Sequence, residues 1–136
     1  MTVNQWLGRA RSVSNEVNIL ERSRREEYER VTAIASQLSG SAGVTSTPNP
    51  HKFDRLAEYD LQLQKREEEL LALKAEIAAA ISQVDDSRYR IMLHLRYCDC
   101  RSWREIQRTM RYSKSSCFRI HGEAVAYLAG MLALSA

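Results

Sequence analysis

Ser102-Trp103-Arg104-Glu105, then Met110-Arg111-Tyr112-Ser113, then Lys114-Ser115-Ser116-Cys117-Phe118-Arg119 form the stretch on which the fold turns. Ser102 and Glu105 have the S-x-x-E spacing of a capping box, in which the hydroxyl accepts from the Glu105 N–H and the carboxylate reaches back to the Ser102 N–H. A short helix therefore starts at Trp103, with Trp103, Ile106 and Met110 on its inward face. Met110 to Ser113 close it, Ser113 caps the next helix, and Cys117, Ile120, Ala124 and Leu128, three and four residues apart, line that helix's buried side. Cys117 is read as a small core residue. Two capped helices joined by so short a turn have the spacing of a helix-turn-helix, whose second helix presents side chains to the major groove of DNA.

With that face inward, Ser115, Phe118, Arg119 and Gly122 point outward and Lys114 stands at the exposed N-terminal end. Lys114, Ser115, Phe118 and Arg119 are the base-reading candidates: a guanidinium donates twice to a guanine edge, a hydroxyl donates or accepts, and a phenyl ring touches a thymine methyl. Arg101, Arg104, Arg108, Arg111, Ser116 and His121 are the phosphate candidates, together with the helix N-terminus. Each has a plainer alternative: Arg119 contacting only phosphate, Phe118 packing on a neighbouring helix or subunit, and His121 packing between helices. No Ser/His/Asp set, glycine-rich phosphate loop or metal-ligand pair is present, so neither enzymatic activity nor a cofactor is expected.

Charge supports the same stretch. Residues 1–50 hold six Lys/Arg against five Asp/Glu, 51–86 five against nine, and 87–136 nine against three, so the net +3 of the 136-residue chain conceals a local +6 at the motif. Glu67, Glu68 and Glu69 are read as a solvated face. Five glycines and two prolines are too little punctuation for a many-stranded protein, and Gly40, Gly43, Pro48 and Pro50 fall in one interval. The expected class is all-α. No apolar run approaches the ~20 residues of a membrane span, and Asn4, Gln5, Arg9 and Arg11 stand where a signal peptide would carry its apolar core, so a cytoplasmic protein is expected. Cys98, Cys100 and Cys117 are odd in number, and the C-x-C pair is poorly placed for a bond, so the thiols are expected reduced. With His94 and His121 nearby the spacing still matches no zinc pattern, and no metal is expected.

Two long helices precede the motif. Over residues 3–38, Val3, Ala10, Val17, Val31 and Leu38 keep a seven-residue register, with Trp6, Val13, Leu20 and Ile34 as companions; Arg24 and Glu27 interrupt the seam. Residues 39–50 read as a flexible connection, with Asn49 as a cap and Pro50 in the first turn of a second helix running to Val84. There Leu56, Leu63, Leu70, Ile77 and Val84 repeat every seven, with Tyr59, Leu73 and Ala80 beside them, which predicts a left-handed coiled-coil contact. The partner is either the first helix, folded back as an antiparallel hairpin, or a second subunit. Asp85, Asp86 and Ser87 cap a third, mostly buried helix carrying Tyr89, Leu93 and Tyr97. The expected division is 1–84 as hairpin and 85–136 as DNA-binding domain.

At Arg96-Tyr97, Ser102-Trp103-Arg104-Glu105-Ile106, Met110-Arg111-Tyr112-Ser113 and Arg119-Ile120-His121-Gly122-Glu123-Ala124 the chain resembles two groups. Residues 88–128 look like the fourth region of bacterial sigma factors, whose helix-turn-helix reads the −35 promoter element. The whole chain resembles small phage and prophage proteins of Gram-positive bacteria related to the ArpU/RinA-type late-transcription regulators. The resemblance implies a helical hairpin followed by a sigma-like C-terminus, with Lys114, Ser115, Phe118 and Arg119 at base-reading positions. Arg111 stands where such turns often have glycine, and a left-handed conformation there would cost about 1 kcal/mol. The expected function is that of a sequence-specific, double-stranded DNA-binding, phage-type transcription regulator, acting as a homodimer in the host bacterial cytoplasm, with host RNA polymerase as a candidate partner. The alternatives are a polymerase- or sigma-interacting adaptor and a small terminase-like DNA-packaging subunit.

Overall fold

The structure, a computed structural model, describes residues 1–39 and 50–135, and side chains outside 34–39. The Asn49 cap, the interior of the expected connection and the side chains of Ile34 and Leu38 lie outside the described residues. The protein is all-helical: α1 (Val3–Leu7), α2 (Arg9–Ser39), α3 (Asp54–Ile81), α4 (Ser87–Leu93), α5 (Trp103–Met110) and α6 (Lys114–Leu132), with a π-helical turn His94–Cys98 running on from α4. Among the described residues extended pairing is limited to one isolated bridge between Thr2 and Ser135, where the Val3 N–H donates to the Ser135 carbonyl at 2.9 Å.

Packing divides the chain into Asn15–Glu68 and a unit made of Met1–Ser14 with Glu69–Ala136. This differs from the expected boundary at 84/85, and the reason is burial. Val3, Leu7 and Ala10 from the first helical stretch, and Ile77, Ile81 and Val84 from the end of α3 onward, share one core with Leu93, Tyr97, Cys98, Ala124, Val125, Leu128 and Ala129. Part of the apolar surface of α6 beyond Ile120 is covered by Val3, Leu7 and Ala10, more than 100 positions earlier in the chain, a pairing no local spacing announces. A second core joins Met92, Ile106, Cys117 and Ile120, flanked by Tyr89, Leu95, Trp103, Met110 and Tyr112, and it ties α5 to α4 and α6.

Helix ends follow their caps. Thr2 and Gln5 form a reciprocal capping box, Thr2 Oγ1 accepting from Gln5 N at 3.2 Å and Gln5 Oε1 from Thr2 N at 2.9 Å. Gly8 separates α1 from α2; its N–H donates to the Asn4 carbonyl, and a Cβ there would come 3.1 Å from that oxygen. Helix α3 begins later than expected: residues 50–53 form a turn in which the His51 carbonyl accepts from Asp54 N, so Pro50 precedes the helix instead of opening it. Asp86 caps α4, accepting from Arg88 N at 2.8 Å. Met92 and Leu93 of that helix are buried, while Ile91 is half exposed.

The π-helical turn is visible in burial as well as in hydrogen bonding. Asp99 N donates to the His94 carbonyl, five residues back. Met92 and Leu93 are buried, and the next buried pair is Tyr97 and Cys98, five residues on. Cys100 then takes a positive φ of 54° and turns the chain into Ser102.

In Asn15–Glu68 the seam is thinner. Val17, Val31 and Leu63 are buried, while Ile19, Phe53 and Leu61 are more than half exposed. Two cross-helix ion pairs bracket it, Glu16 with Arg66 at 3.1 Å and Arg24 with Asp60. Glu27, in the apolar register, is 6% exposed. Arg30 holds it with two bonds, Nε to Oε2 at 3.1 Å and Nη2 to Oε1 at 2.5 Å, and these keep its carboxyl below the usual range against the opposing effect of burial.

Candidate nucleic-acid interface

The residues from Arg101 to Glu123 are built from caps outward. Ser102 Oγ accepts from Glu105 N at 3.2 Å and sets the first turn of α5. The return half of the expected box is replaced: the Glu105 carboxylate goes to Arg101 Nη1 at 3.2 Å, where a full opposite charge outbids a neutral N–H. Helix α5 ends in Arg111, whose φ of 58° and ψ of 39° are left-handed. The N–H groups of Arg111 and Tyr112 both reach the Gln107 carbonyl, the hydrogen bonding that offsets the strain. Ser113 Oγ accepts from Ser116 N at 3.2 Å and lies 3.3 Å from the Ser115 hydroxyl, so three serines cap the start of α6.

Faces follow from this register. Ile106, Cys117, Ala124 and Leu128 have no exposed surface and Ile120 almost none, while Trp103 and Met110 are half-buried against the core of Ile106, Cys117 and Ile120. Lys114, Ser115, Phe118 and Arg119 are all exposed, on the first turns of α6. Arg101, Arg104, Arg108 and Arg111 are exposed along α5 and its flanks, and Ser116 is half-buried within the serine cap. Phe118 also packs between helices, its ring 4.9 Å from that of Trp103.

Arg119 is anchored. Its Nη1 donates to Glu123 Oε1 at 3.2 Å, and the other oxygen of that carboxylate accepts from the Tyr89 hydroxyl at 2.9 Å. The hydrogen bond to Glu123, with burial behind it, raises the Tyr89 phenol above its ordinary pKa, so it stays a donor. The i,i+4 spacing of Arg119 and Glu123 is visible in the sequence. Tyr89, 34 residues away, has no such signal.

His121 occupies a different place from the other phosphate candidates. Its Nε2 lies 2.6 Å from the Tyr97 hydroxyl, and its ring meets the Trp103 ring edge-on at 4.7 Å. Burial and, secondarily, the nearby Arg96 guanidinium lower its pKa, while burial raises that of Tyr97. Both groups are therefore neutral at pH 7, and Nε2 of His121 is turned to the Tyr97 hydroxyl, whereas the arginine candidates are exposed. Arg96 lies over Trp103, 4.3 Å from the ring centroid.

Of the three thiols, Cys98 and Cys117 are buried and Cys100 is half-buried, all unpaired. Burial pushes Cys98 up to about 11 and raises Cys117 as well, which leaves both poor nucleophiles and poor metal ligands. Among the described residues no group of three His, Cys, Asp or Glu side chains is placed to hold a metal ion. No helix among them is long and apolar enough to cross a membrane. No protein-family model matches the chain, nor does any curated protein or solved structure.

Proposed function

We propose that α5, the Arg111–Ser113 turn and α6 act as a helix-turn-helix that reads double-stranded DNA, in a transcription regulator of phage type resembling sigma region 4. The observation that carries the reading is the two-sidedness of the start of α6. Lys114, Ser115, Phe118 and Arg119 are exposed, while Cys117 and Ile120 between and beyond them are locked into the core. A helix so fixed presents its outer side chains as a set, and the arginines of α5 and the turn supply charge for the phosphates on either side. Anchoring by Glu123 reduces the freedom that Arg119 loses on engaging a guanine edge. Such a role requires neither catalytic group nor cofactor.

In this reading α2 and α3 form an antiparallel hairpin that serves as dimerisation element. The ion pairs of Glu16 with Arg66 and Arg24 with Asp60 support that direction, because one partner's number rises as the other's falls. Glu27 in the seam supports a register-setting role, as single buried polar groups do in coiled coils. Two-fold related subunits would read half-sites about one helical turn apart, or a multiple of it.

The test is selection of bound sequences from random duplex DNA with the wild-type protein and Arg119→Ala. The expected result is a defined motif for the wild type and, for the variant, loss of preference at one base position worth about 1–3 kcal/mol. Failure of the wild type to bind any duplex at low salt would sink the reading.

A further inference from the structure

We propose that Arg11 and Arg96 form a phosphate clamp that grips the backbone of the duplex beside the reading head; this rests on the DNA-binding reading above. The two side chains come from α2 and from the π-helical turn, and they converge on a single acceptor. Arg11 Nη1 lies 3.4 Å and Arg96 Nη1 3.0 Å from the main-chain carbonyl of Arg101. Two guanidiniums carry ten N–H donors between them, and one carbonyl oxygen occupies two.

Among the described residues no carboxylate pairs with either arginine. Of the acids close in sequence, Glu105 is taken by the Arg101 guanidinium and Asp99 lies 3.5 Å from His94. Arg9, two residues earlier, shows what a satisfied arginine looks like in the same helix: it bonds Glu76 at 3.0 Å and the Trp6 carbonyl at 3.0 Å. Arg11 and Arg96 are instead two like charges held together with no counter-charge, an arrangement that costs energy until an anion joins it. Burial and the proximity of Arg11 both lower the Arg96 pKa, as expected for a cation short of compensation.

Position and shape specify the anion. Arg96 lies over Trp103, which packs on Phe118 of the exposed row, so the pair is continuous with the proposed base-reading side chains. Planar forks with spare donors suit the paired oxygens of a phosphodiester, and arginine outperforms lysine there because both oxygens are engaged at once. Arg11 would thus bring the N-terminal helical stretch directly into DNA binding, in addition to its contribution to the core through Val3, Leu7 and Ala10.

The experiment measures affinity of the full chain for its selected duplex across a salt series, for wild type, Arg11→Gln and, as control, Arg9→Gln. Each phosphate contact removed lowers the slope of log K against log salt by about 0.9. Arg11→Gln is expected to weaken binding several-fold on every duplex, with that loss of slope, an unchanged base preference and a melting temperature no lower than wild type. Arg9→Gln keeps the wild-type slope. An unchanged slope in Arg11→Gln, with the wild type still binding, overturns the clamp and leaves the DNA reading standing; a wild type that binds no duplex overturns both. If inorganic phosphate raises the wild-type melting temperature but not that of Arg11→Gln, and the duplex slope is the same in both, the pair holds a small anion and the duplex assignment falls.

Discussion

The α4–α6 region and the Asn15–Glu68 unit begin from the same kind of sequence, apolar residues at helical spacing, and end with different interiors. Around α5 and α6 the repeat closes completely: Ile106, Cys117, Ala124 and Leu128 have no exposed surface. In Asn15–Glu68 the seven-residue repeat yields Val17, Val31 and Leu63 as buried apolar residues, and it also buries Glu27. Helices that pack on several neighbours cover each other's flanks, whereas two helices side by side cover one stripe each and leave Ile19 and Leu61 outside. A regular heptad reports that a partner is wanted; how much it buries depends on how many arrive.

The sharpest way to break this comparison is to hollow each interior. Ile106→Ala, at the centre of the second core, is expected to cost about 2–5 kcal/mol. Val31→Ala should cost only about 1–2 kcal/mol, the value of two buried methyl groups. Thermal melts combined with hydrogen exchange read helix by helix would check this; equal losses would refute the idea that the two interiors differ in grade.

A second variant sharpens the contrast between a structural ion pair and a functional one. Glu123→Gln removes the carboxylate that holds Arg119 and accepts from Tyr89. Discrimination at the Arg119 base should fall, by less than the about 1–3 kcal/mol of deleting the arginine itself, with little change in melting temperature. Specificity profiles that do not differ from wild type would show Arg119 to be positioned without its anchor.

Smaller again is Arg111→Gly. Relief of about 1 kcal/mol of left-handed strain is offset in part by about 0.5 kcal/mol of added freedom in the unfolded chain. Stability should therefore rise slightly while the salt slope of DNA binding drops by about 0.9. A fall in stability would mean that the long side chain of Arg111 packs more than it strains.

The smallest effect expected is that of pH on His121. Its folded pKa lies below the ordinary value, so as pH falls through about 6.5 the unfolded chain takes up the proton first and stability is lost in that direction. The partners felt by the imidazole are Tyr97, Trp103 and the Arg96 cation. Melting temperatures between pH 7.5 and 5 should decline more steeply in wild type than in His121→Gln.

What the sequence disclosed and withheld follows the range of the interactions concerned. The limits of α5 and α6 were legible because Ser102, Glu105 and Ser113 act within three residues of themselves, and the inward face of α6 because its repeat is local. Thr2 and Gln5 carry the same kind of local signal at the start of α1. The unit boundary was not legible, since Val3, Leu7 and Ala10 share a core with residues of α6 more than 100 positions along the chain. The roles of Tyr89, Tyr97, Arg11 and Arg96 stayed hidden for the same reason: an aromatic or an arginine fits many settings, and only the fold brings Tyr89 to Glu123 or two guanidiniums to one carbonyl.

The π-helical turn has a consequence for how this chain can vary in length. Between Leu93 and Cys98 it carries one residue more than an α-helix needs to return to the same face, and the surplus lies among His94, Leu95 and Arg96, all with some exposed surface. Removing His94 would restore four-residue spacing, keep the Met92–Leu93 and Tyr97–Cys98 pairs on the core side and shorten the segment by about 1.5 Å. The same deletion inside α5 or α6 would rotate every later side chain by about 100° and turn the buried face toward water. A one-residue deletion is therefore expected to cost less in the π-helical turn than in α5 or α6, because it removes a residue the turn carries in surplus and leaves later side chains on their faces.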